Sequence, residues 1–450
     1  PRDHGLRING QALRKDIPTM AGILSAAGYR THAAGKLHLT PWVPMVDPPQ
    51  TDEYPECLQY WKDGAIRSFP TPYYGFQSVD FVGGHTSYAY GDYAQWLRDR
   101  GGDPEMLGAT HALQPPATAP QCYRMSLPED LHYNRYIADS TREFLKSCAG
   151  EQGKPFFAWC SFPDPHLPVA PPEPYCHMYD PAVIPLPPHR PGEMQAMPPF
   201  YQRILDGELR PDGQNHHESQ SPEQVREMIA LTYGMVSHVD AEIGRVLDVL
   251  DASGLAENTL VVFVSDHGDM MGDHGLYWKG PYTYDGCIRI PTIVAAPGMS
   301  GGQVSRALVS QIDLLPSVLD FCDVPLPGSD WQEKVRFHWG QARDLSLYPG
   351  RSWLPVLEDP AAATHEEVII ENDYLSTGYV VRCMVTKRHR ITVYPGTEDG
   401  ELFDLESDPG ESVNLWYSPD HGTLKSELIS QLLDGYSRCT PHYPVPPWNS

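Results

Sequence analysis

The run Leu260-Val-Val-Phe-Val-Ser-Asp-His-Gly-Asp constrains this chain more than any other stretch of it. An unbroken apolar segment, Leu260 to Val264, that gives way at once to polar residues fits a short strand buried on both faces. Such strands belong to parallel sheets covered by helices. In open α/β sheets ligands bind beyond the carboxyl ends of the strands. Asp266 and His267 follow the strand directly and so emerge at that edge. A carboxylate beside an imidazole is a natural pair of divalent-metal ligands. A helix cap made by Asp266, with an incidental histidine, is the alternative that the pair alone leaves open.

The rest of the chain extends the α/β pattern. Pro18 to Ala27 has helical apolar spacing, with Asp16 or Ile17 at the cap and Gly28 as the stop. Tyr29-Arg-Thr-His-Ala-Ala-Gly follows as a strand ending in a loop. The stretch from Pro41 to Gly91 shows little periodicity and reads as insertion and loop. Leu131 to Cys148 is a predicted helix, followed by a buried strand at Pro155-Phe-Phe-Ala-Trp-Cys-Ser-Phe. Pro222 to Leu250 is one long amphipathic helix with Ser221 as N-cap. Its expected buried face is Val225, Ile229, Tyr233, Val236, Val239, Ile243, Val246 and Leu250. A strand at Pro291-Thr-Ile-Val-Ala-Ala and a helix from Gln311 to Phe321 complete a mostly parallel sheet flanked by helices. Beyond Arg351 the texture changes to short strands at Glu367, Tyr379 and His389, which suggest a small antiparallel C-terminal domain. Since 450 residues exceed one ordinary core, the expected division is a large domain at 1–350 and a small α+β one at 351–450.

Composition narrows the partners. A net charge of −25 argues against nucleic acid or an anionic membrane, so an anionic substrate must be drawn in by local cations or a metal. No apolar run reaches membrane-spanning length, and a soluble chain is expected. The 46 prolines imply long irregular connections. The nine cysteines have no close paired spacing, so they read as buried free thiols rather than a zinc site or disulfide framework.

Four further places carry candidate chemistry. Gly35-Lys-Leu-His-Leu puts Lys36 and His38 just past a strand, on the same side if the segment is extended. Ser161-Phe-Pro-Asp-Pro-His-Leu-Pro puts His166 just after another strand. Lys279 lies twelve residues past His267, and Arg289 is near the same edge. Two lysines and two histidines around a presumptive metal are what an anionic oxyester needs, since cations hold the nonbridging oxygens and an acid protonates the leaving oxygen. His85, Arg67 and His177 are candidate substrate contacts. Trp42, Trp61, Tyr73, Tyr74 and Tyr88 are aromatics that a sugar or aryl group would pack on.

In order along the chain, His4-Gly-Leu-Arg-Ile-Asn-Gly, Ala27-Gly-Tyr-Arg-Thr, Gly35-Lys-Leu-His, Pro165-His-Leu-Pro, Ser265-Asp-His-Gly, Lys279, Ile288-Arg-Ile-Pro and the segment Glu401 to Leu415 resemble the sulfatase family of the alkaline-phosphatase superfamily. The resemblance implies an alkaline-phosphatase-like sheet and hydrolysis of a sulfate monoester. It makes Asp266 and His267 two metal ligands. Lys36 and Lys279 would bind sulfate oxygens, His38 would hydrogen-bond the nucleophile, and His166 would be the general acid. Asn9 would reach the active site, and Arg289 is a further candidate substrate contact beside His85. The Asp-His pair is similar to choline-sulfatase-like and phosphonate-monoester-hydrolase-like members. The implied cofactor is one divalent ion, calcium by the family's habit, with manganese or zinc made more plausible by the imidazole.

One departure stands out. The family's nucleophile, a formylglycine made from Cys or Ser in Cys-x-Pro-Ser-Arg, matches none of the nine cysteines and is expected upstream of Pro1. The chain then reads as a fragment without its first strand, two metal ligands and nucleophile, inactive by itself. The implied partner is a small sulfated sugar, aryl or alkyl ester. A phosphonate monoester or phosphodiester hydrolase on the same scaffold, or a noncatalytic binding homologue, are the competing readings; Gly-Lys-Leu-His favours the sulfatase. A homo-oligomer is compatible with the tail Pro441 to Trp448, which would dock on a neighbour or cover its own site.

Overall fold

The computed structural model describes residues 6, 10–43, 51–151, 153–190, 192–209, 220–326, 349–374 and 378–438. Asn9 and the 439–450 tail lie outside them. The chain divides into two compact units, one made of Asn9–Leu186 with Ser219–Thr259, the other of Pro1–Ile8, Pro187–Glu218 and Leu260–Ser450. Among the described residues no helix is long and apolar enough to cross a membrane.

In the first of these units a four-stranded sheet has β1 (Arg30–Gly35) inside it. β1 runs parallel to β2 (Ser78–Gly83) on one side and to β4 (Phe156–Ser161) on the other, and β3 (Tyr90–Gly91) lies antiparallel on β2. Successive side chains of β1 point to opposite faces. Ala33 packs with Ala21, Phe69 and Phe81, whereas Ala34 packs with Val82, Tyr93, Tyr133 and Ile137. Helices α1 (Met20–Ala26), α2 (Leu58–Lys62), α3 (Asp92–Asp99), α4 (Tyr133–Ala149) and α6 (Pro222–Ala252) complete this unit.

Three expectations change here. The cap of α1 is Thr19, whose hydroxyl accepts from Gly22 N at 3.0 Å, not Asp16 or Ile17. The stretch at 41–91, expected as loop, holds α2, β2 and β3. Ser78-Val-Asp-Phe-Val-Gly is interrupted by its aspartate and so does not announce itself as a strand. Ser221 does cap α6 through a capping box with Gln224, and Val225, Ile229 and Leu250 of the expected face are buried, but the buried face shifts in the middle of the helix. Tyr233 and Val236 are exposed, while Leu231, Met235, His238 and Glu242 are buried. Gly234 is the reason. A Cβ there would stand 2.5 Å from the Tyr175 carbonyl oxygen, so only glycine lets α6 approach that backbone.

In the other unit β5 (Val261–Val264) pairs with β6 (Thr292–Ala295), and the pairing is antiparallel. The expectation of a strand buried on both faces fails: Phe263 is 40% and Ile293 64% exposed. A two-stranded ribbon has no inner strand, so an apolar run on it keeps solvent contact. This unit also holds α5 (Pro199–Leu205), α7 (Asp285–Ile288), α8 (Leu314–Phe321) and α9 (Leu354–Glu358). The C-terminal strands β7 (Glu367–Tyr374), β8 (Tyr379–Thr386), β9 (His389–Val393) and β10 (Gly400–Asp404) form the expected antiparallel sheet in the order β10-β9-β8-β7. The last helix, α10 (Gly422–Arg438), buries Leu428 and Leu432 against Met384, Ile391, Leu402 and Trp416.

A fully buried arginine ties this sheet to the segment that follows Lys279. Arg390 Nη1 donates to Glu401 Oε2 at 2.7 Å and to Thr283 Oγ1 at 2.5 Å, and its Nε donates to Glu411. Glu411 in turn accepts from Asp285 N at 2.8 Å. The guanidinium also lies 5.0 Å from the centre of the Tyr284 ring. Removing one partner of a buried ion pair leaves an uncompensated charge that costs about 3–5 kcal/mol. Arg390→Ala is therefore expected to lose about that much stability in urea unfolding followed by tryptophan fluorescence. Arg390→Lys, which keeps the charge without the planar fork, should lose less.

Candidate active site

Asp266 and His267 stand directly past β5 with no helix beginning at Asp266, so the cap alternative falls. Gln311 Nε2 holds this turn by donating to the Ser265 and Asp266 carbonyls at 2.9 and 2.6 Å. His267 Nδ1 lies 2.8 Å from the Gly268 carbonyl oxygen. That bond needs a proton on Nδ1 and so puts the ring's acceptor lone pair on Nε2. Nε2 stands 3.4 Å from Asp266 Oδ2 and 3.1 Å from Lys279 Nζ. The donor chemistry and the tautomer both fit a divalent ion held between Asp266 and His267. Among the described residues these two belong to no group of three possible ligands. Arg289 is turned elsewhere: it is 81% exposed, and Asp285 accepts from it at 3.4 Å.

In the unit built on β1, sheet order assembles the remaining candidates. β2, β1 and β4 are parallel neighbours, so their carboxyl ends share one edge. His85 follows β2, Lys36 and His38 follow β1, and His166 follows β4. Lys36 N donates to Ser161 O at 3.2 Å. Just before it, Gly35 has φ +104°, and a Cβ there would meet Ser161 O at 1.9 Å. The two strand ends come this close only because that residue is glycine. The His85 and His166 rings are stacked, with centroids 3.7 Å apart and planes at 24°. Thr86 Oγ1 donates to Pro168 O at 2.8 Å and couples the two loops. His166 Nδ1 lies 2.9 Å from the Leu167 carbonyl oxygen.

The extended geometry expected for Lys36 and His38 does not hold. His38 has φ 62°, in the left-handed region, and its side chain is exposed. What holds it there is a residue that sequence reasoning missed, the buried Glu56, whose carboxylate accepts the His38, Leu39 and Thr40 amides. In the sequence it is one of three acids in the short run Asp52-Glu-Tyr-Pro-Glu56, and nothing there marks it off from its neighbours. Of the candidate aromatics, Tyr73 is buried and Trp61 is bound to the Pro55 carbonyl, whereas Trp42 and Tyr88 are exposed. His177 pairs with Glu173 at 3.5 Å, and Arg67 is exposed.

Behind the His166 loop lies a second unforeseen cluster. His132, Asp164 and His238 are buried, with potential ligand atoms within 4.8 Å of one another, a spacing that can hold a metal ion. Some of the polar atoms here already have work, whereas Nε2 of His132 and Nε2 of His238 are buried without a hydrogen bond among the described residues. His132 Nδ1 caps α4 by accepting from Asn134 N at 3.2 Å. Asn134 Nδ2 donates to Asp164 Oδ2 at 2.8 Å and lies 3.4 Å from His238 Nδ1, and Tyr133 OH donates to Asp164 Oδ1. We read the cluster as a strut for the loop that carries His166. Burial pushes the Asp164 carboxyl up to about 7 against the pull of Tyr133 and Asn134. All eight cysteines within the described residues are free thiols, and burial pushes Cys287 and Cys383 up to about 11, which disfavours their thiolates.

The family model described as Sulfatase matches residues 2–324. The chain belongs to the sulfatase family. This sulfatase-type hydrolase is 26% identical to the arylsulfatase of Clostridium perfringens over 446 residues, covering 92% of this chain and 78% of that one. It is 25% identical to the choline-sulfatase of Rhizobium meliloti, covering 92% and 71%. Its alkaline-phosphatase-like fold is similar to that of the phosphonate monoester hydrolase from Silicibacter pomeroyi, with a TM-score of 0.75 at 24% identity, covering 98% of this chain and 84% of that one.

Burial holds the imidazoles of His32 and His238 down at about 4 and about 3, with Arg30 and Arg135 adding repulsion. The unfolded chain takes up these protons near the ordinary histidine value of about 6.5, while the folded chain refuses them until far lower pH. Stability should therefore fall as pH drops below that value towards 4. In NMR spectra of histidine-labelled protein, both rings should remain neutral at about pH 5.5, where a free histidine is mostly protonated.

Proposed function

We propose that this sulfatase-family hydrolase cleaves a sulfate monoester of a small sugar, aryl or alkyl alcohol. The observation that carries the reading is His267, whose tautomer is set by Gly268 so that Nε2 faces the Asp266 carboxylate and the Lys279 ammonium. Bound at Asp266 and His267, a divalent ion, calcium or else manganese or zinc, would supply Lewis-acid stabilisation of a nonbridging oxygen. Lys279 and Lys36 bring positive charge to an otherwise acidic chain, where it can hold sulfate oxygens. His166 donates a proton to the departing alkoxide, and its bond to the Leu167 carbonyl orients the ring for that transfer. His85, stacked on it, restricts the ring plane. His38 hydrogen-bonds the nucleophile.

The nucleophile in this reading is a formylglycine encoded N-terminal to Pro1. Reading the gene upstream tests it: absence of Cys or Ser in a Pro-Ser-Arg context would leave a noncatalytic binding protein. The complete gene product should hydrolyse aryl sulfate faster than aryl phosphonate monoesters or phosphodiesters, and the reverse order would move the assignment to those substrates. His166→Ala should lower kcat by about 10²–10⁴ on alkyl sulfates. The loss should be much smaller on nitrophenyl sulfate, whose leaving group needs no proton. Independently of turnover, His267→Ala should lower the bound metal measured by mass spectrometry of the purified protein.

A further inference from the structure

We propose that Glu56 is the positioning residue of the Lys36–His38 loop, an internal carboxylate that fills a backbone anion nest and so fixes where His38 stands. The consequence for activity rests on the role of His38 proposed above.

The geometry is specific. Glu56 Oε2 accepts from His38 N at 2.6 Å, and Oε1 accepts from Leu39 N at 2.7 Å and Thr40 N at 3.0 Å. Tyr73 OH donates to Oε1 at 2.7 Å. Consecutive amides around a left-handed residue form a concave site for an anion, and His38 with φ 62° is that residue. In this chain the anion is built in. Glu56, Thr40 and Tyr73 are all buried, so water cannot replace the carboxylate. Each of these partners is a donor, which matches the acceptor-only character of a carboxylate. Burial raises the Glu56 carboxyl, and Tyr73 with the three amides draws it back. The loop is thus held at both ends, by Lys36 N on Ser161 O and by the His38, Leu39 and Thr40 amides on Glu56. The exposed His38 imidazole takes its position from that backbone.

Glu56→Gln separates this role from general support of the fold. The amide oxygen can keep the Leu39, Thr40 and Tyr73 bonds, but the NH₂ then faces the His38 N–H, donor against donor. In ¹⁵N spectra of the 450-residue chain, the His38 amide should move upfield and lose hydrogen-exchange protection by at least about tenfold, while Leu39 and Thr40 change little. Unchanged His38 protection in Glu56→Gln overturns the proposal, and so does a loss spread evenly over the sheet. Glu56→Ala vacates the nest, and formate at high concentration should restore the three amide signals where chloride does not. Failure of formate in a variant that still melts cooperatively also counts against it.

In the complete gene product, Glu56→Gln should lower kcat for aryl sulfate by about tenfold with KM little changed, the pattern of lost transition-state alignment. The same substitution should add nothing in a His38→Ala background. An equal further loss there would mean that Glu56 acts through another group, and the proposal falls. If His38→Ala alone is fully active, the assigned role of His38 fails, while the amide result still decides the positioning of the loop.

Discussion

The parallel pairing of β1 with β2 and β4 is the constraint from which the cluster of candidate residues in that unit follows. Parallel neighbours present their carboxyl ends at one edge, so the loops carrying His85, Lys36, His38 and His166 are brought together by backbone hydrogen bonds before any side chain acts. The closeness of the strand ends depends on Gly35, where Ser161 O leaves no room for a Cβ. From that junction the two chains diverge into loops that have little regular structure and must be secured by other means.

Buried charge secures them. Glu56 ties down the turn after β1, Asp164 anchors the turn before His166 through Tyr133 and Asn134, and Arg390 with Glu401 and Glu411 holds Thr283 and Asp285 downstream of Lys279. Burying an ionised group is costly unless every lone pair and proton finds a partner. The carboxylates reach donors, and Arg390 reaches acceptors, from other segments of the chain, which offsets that cost.

The elements that sequence reasoning recovered are those with local signals: the α4 and α6 helices with their periodicity, the Ser221 cap, β1 and β4, and the C-terminal strands. The Asp266-His267 pair and Lys279 were also legible, because a strand end and a short loop keep them near one another. What was missed has no local signature. β2 is a strand because β1 offers it a partner. The buried seam of α6 includes His238 and Glu242 rather than Tyr233 and Val236 because Gly234 lets the helix approach Tyr175. Glu56 looks like a surface acid in a loop until its donors, eighteen residues away at His38 and seventeen at Tyr73, are in place.

By itself, the sequence determined the family and the α/β class, and it named the candidate residues at the strand ends, because motifs there are contiguous and survive without knowledge of contacts. Only the tertiary structure decided that Asp266-His267 follows an antiparallel ribbon with solvent-exposed apolar residues, and that His267 Nε2 faces Lys279. It likewise decided that His85 stacks on His166 and that His38 is held in a left-handed turn by a buried carboxylate. These depend on which distant segments supply donors, acceptors and space, and that information resides in pairing and packing rather than in any local run of residues.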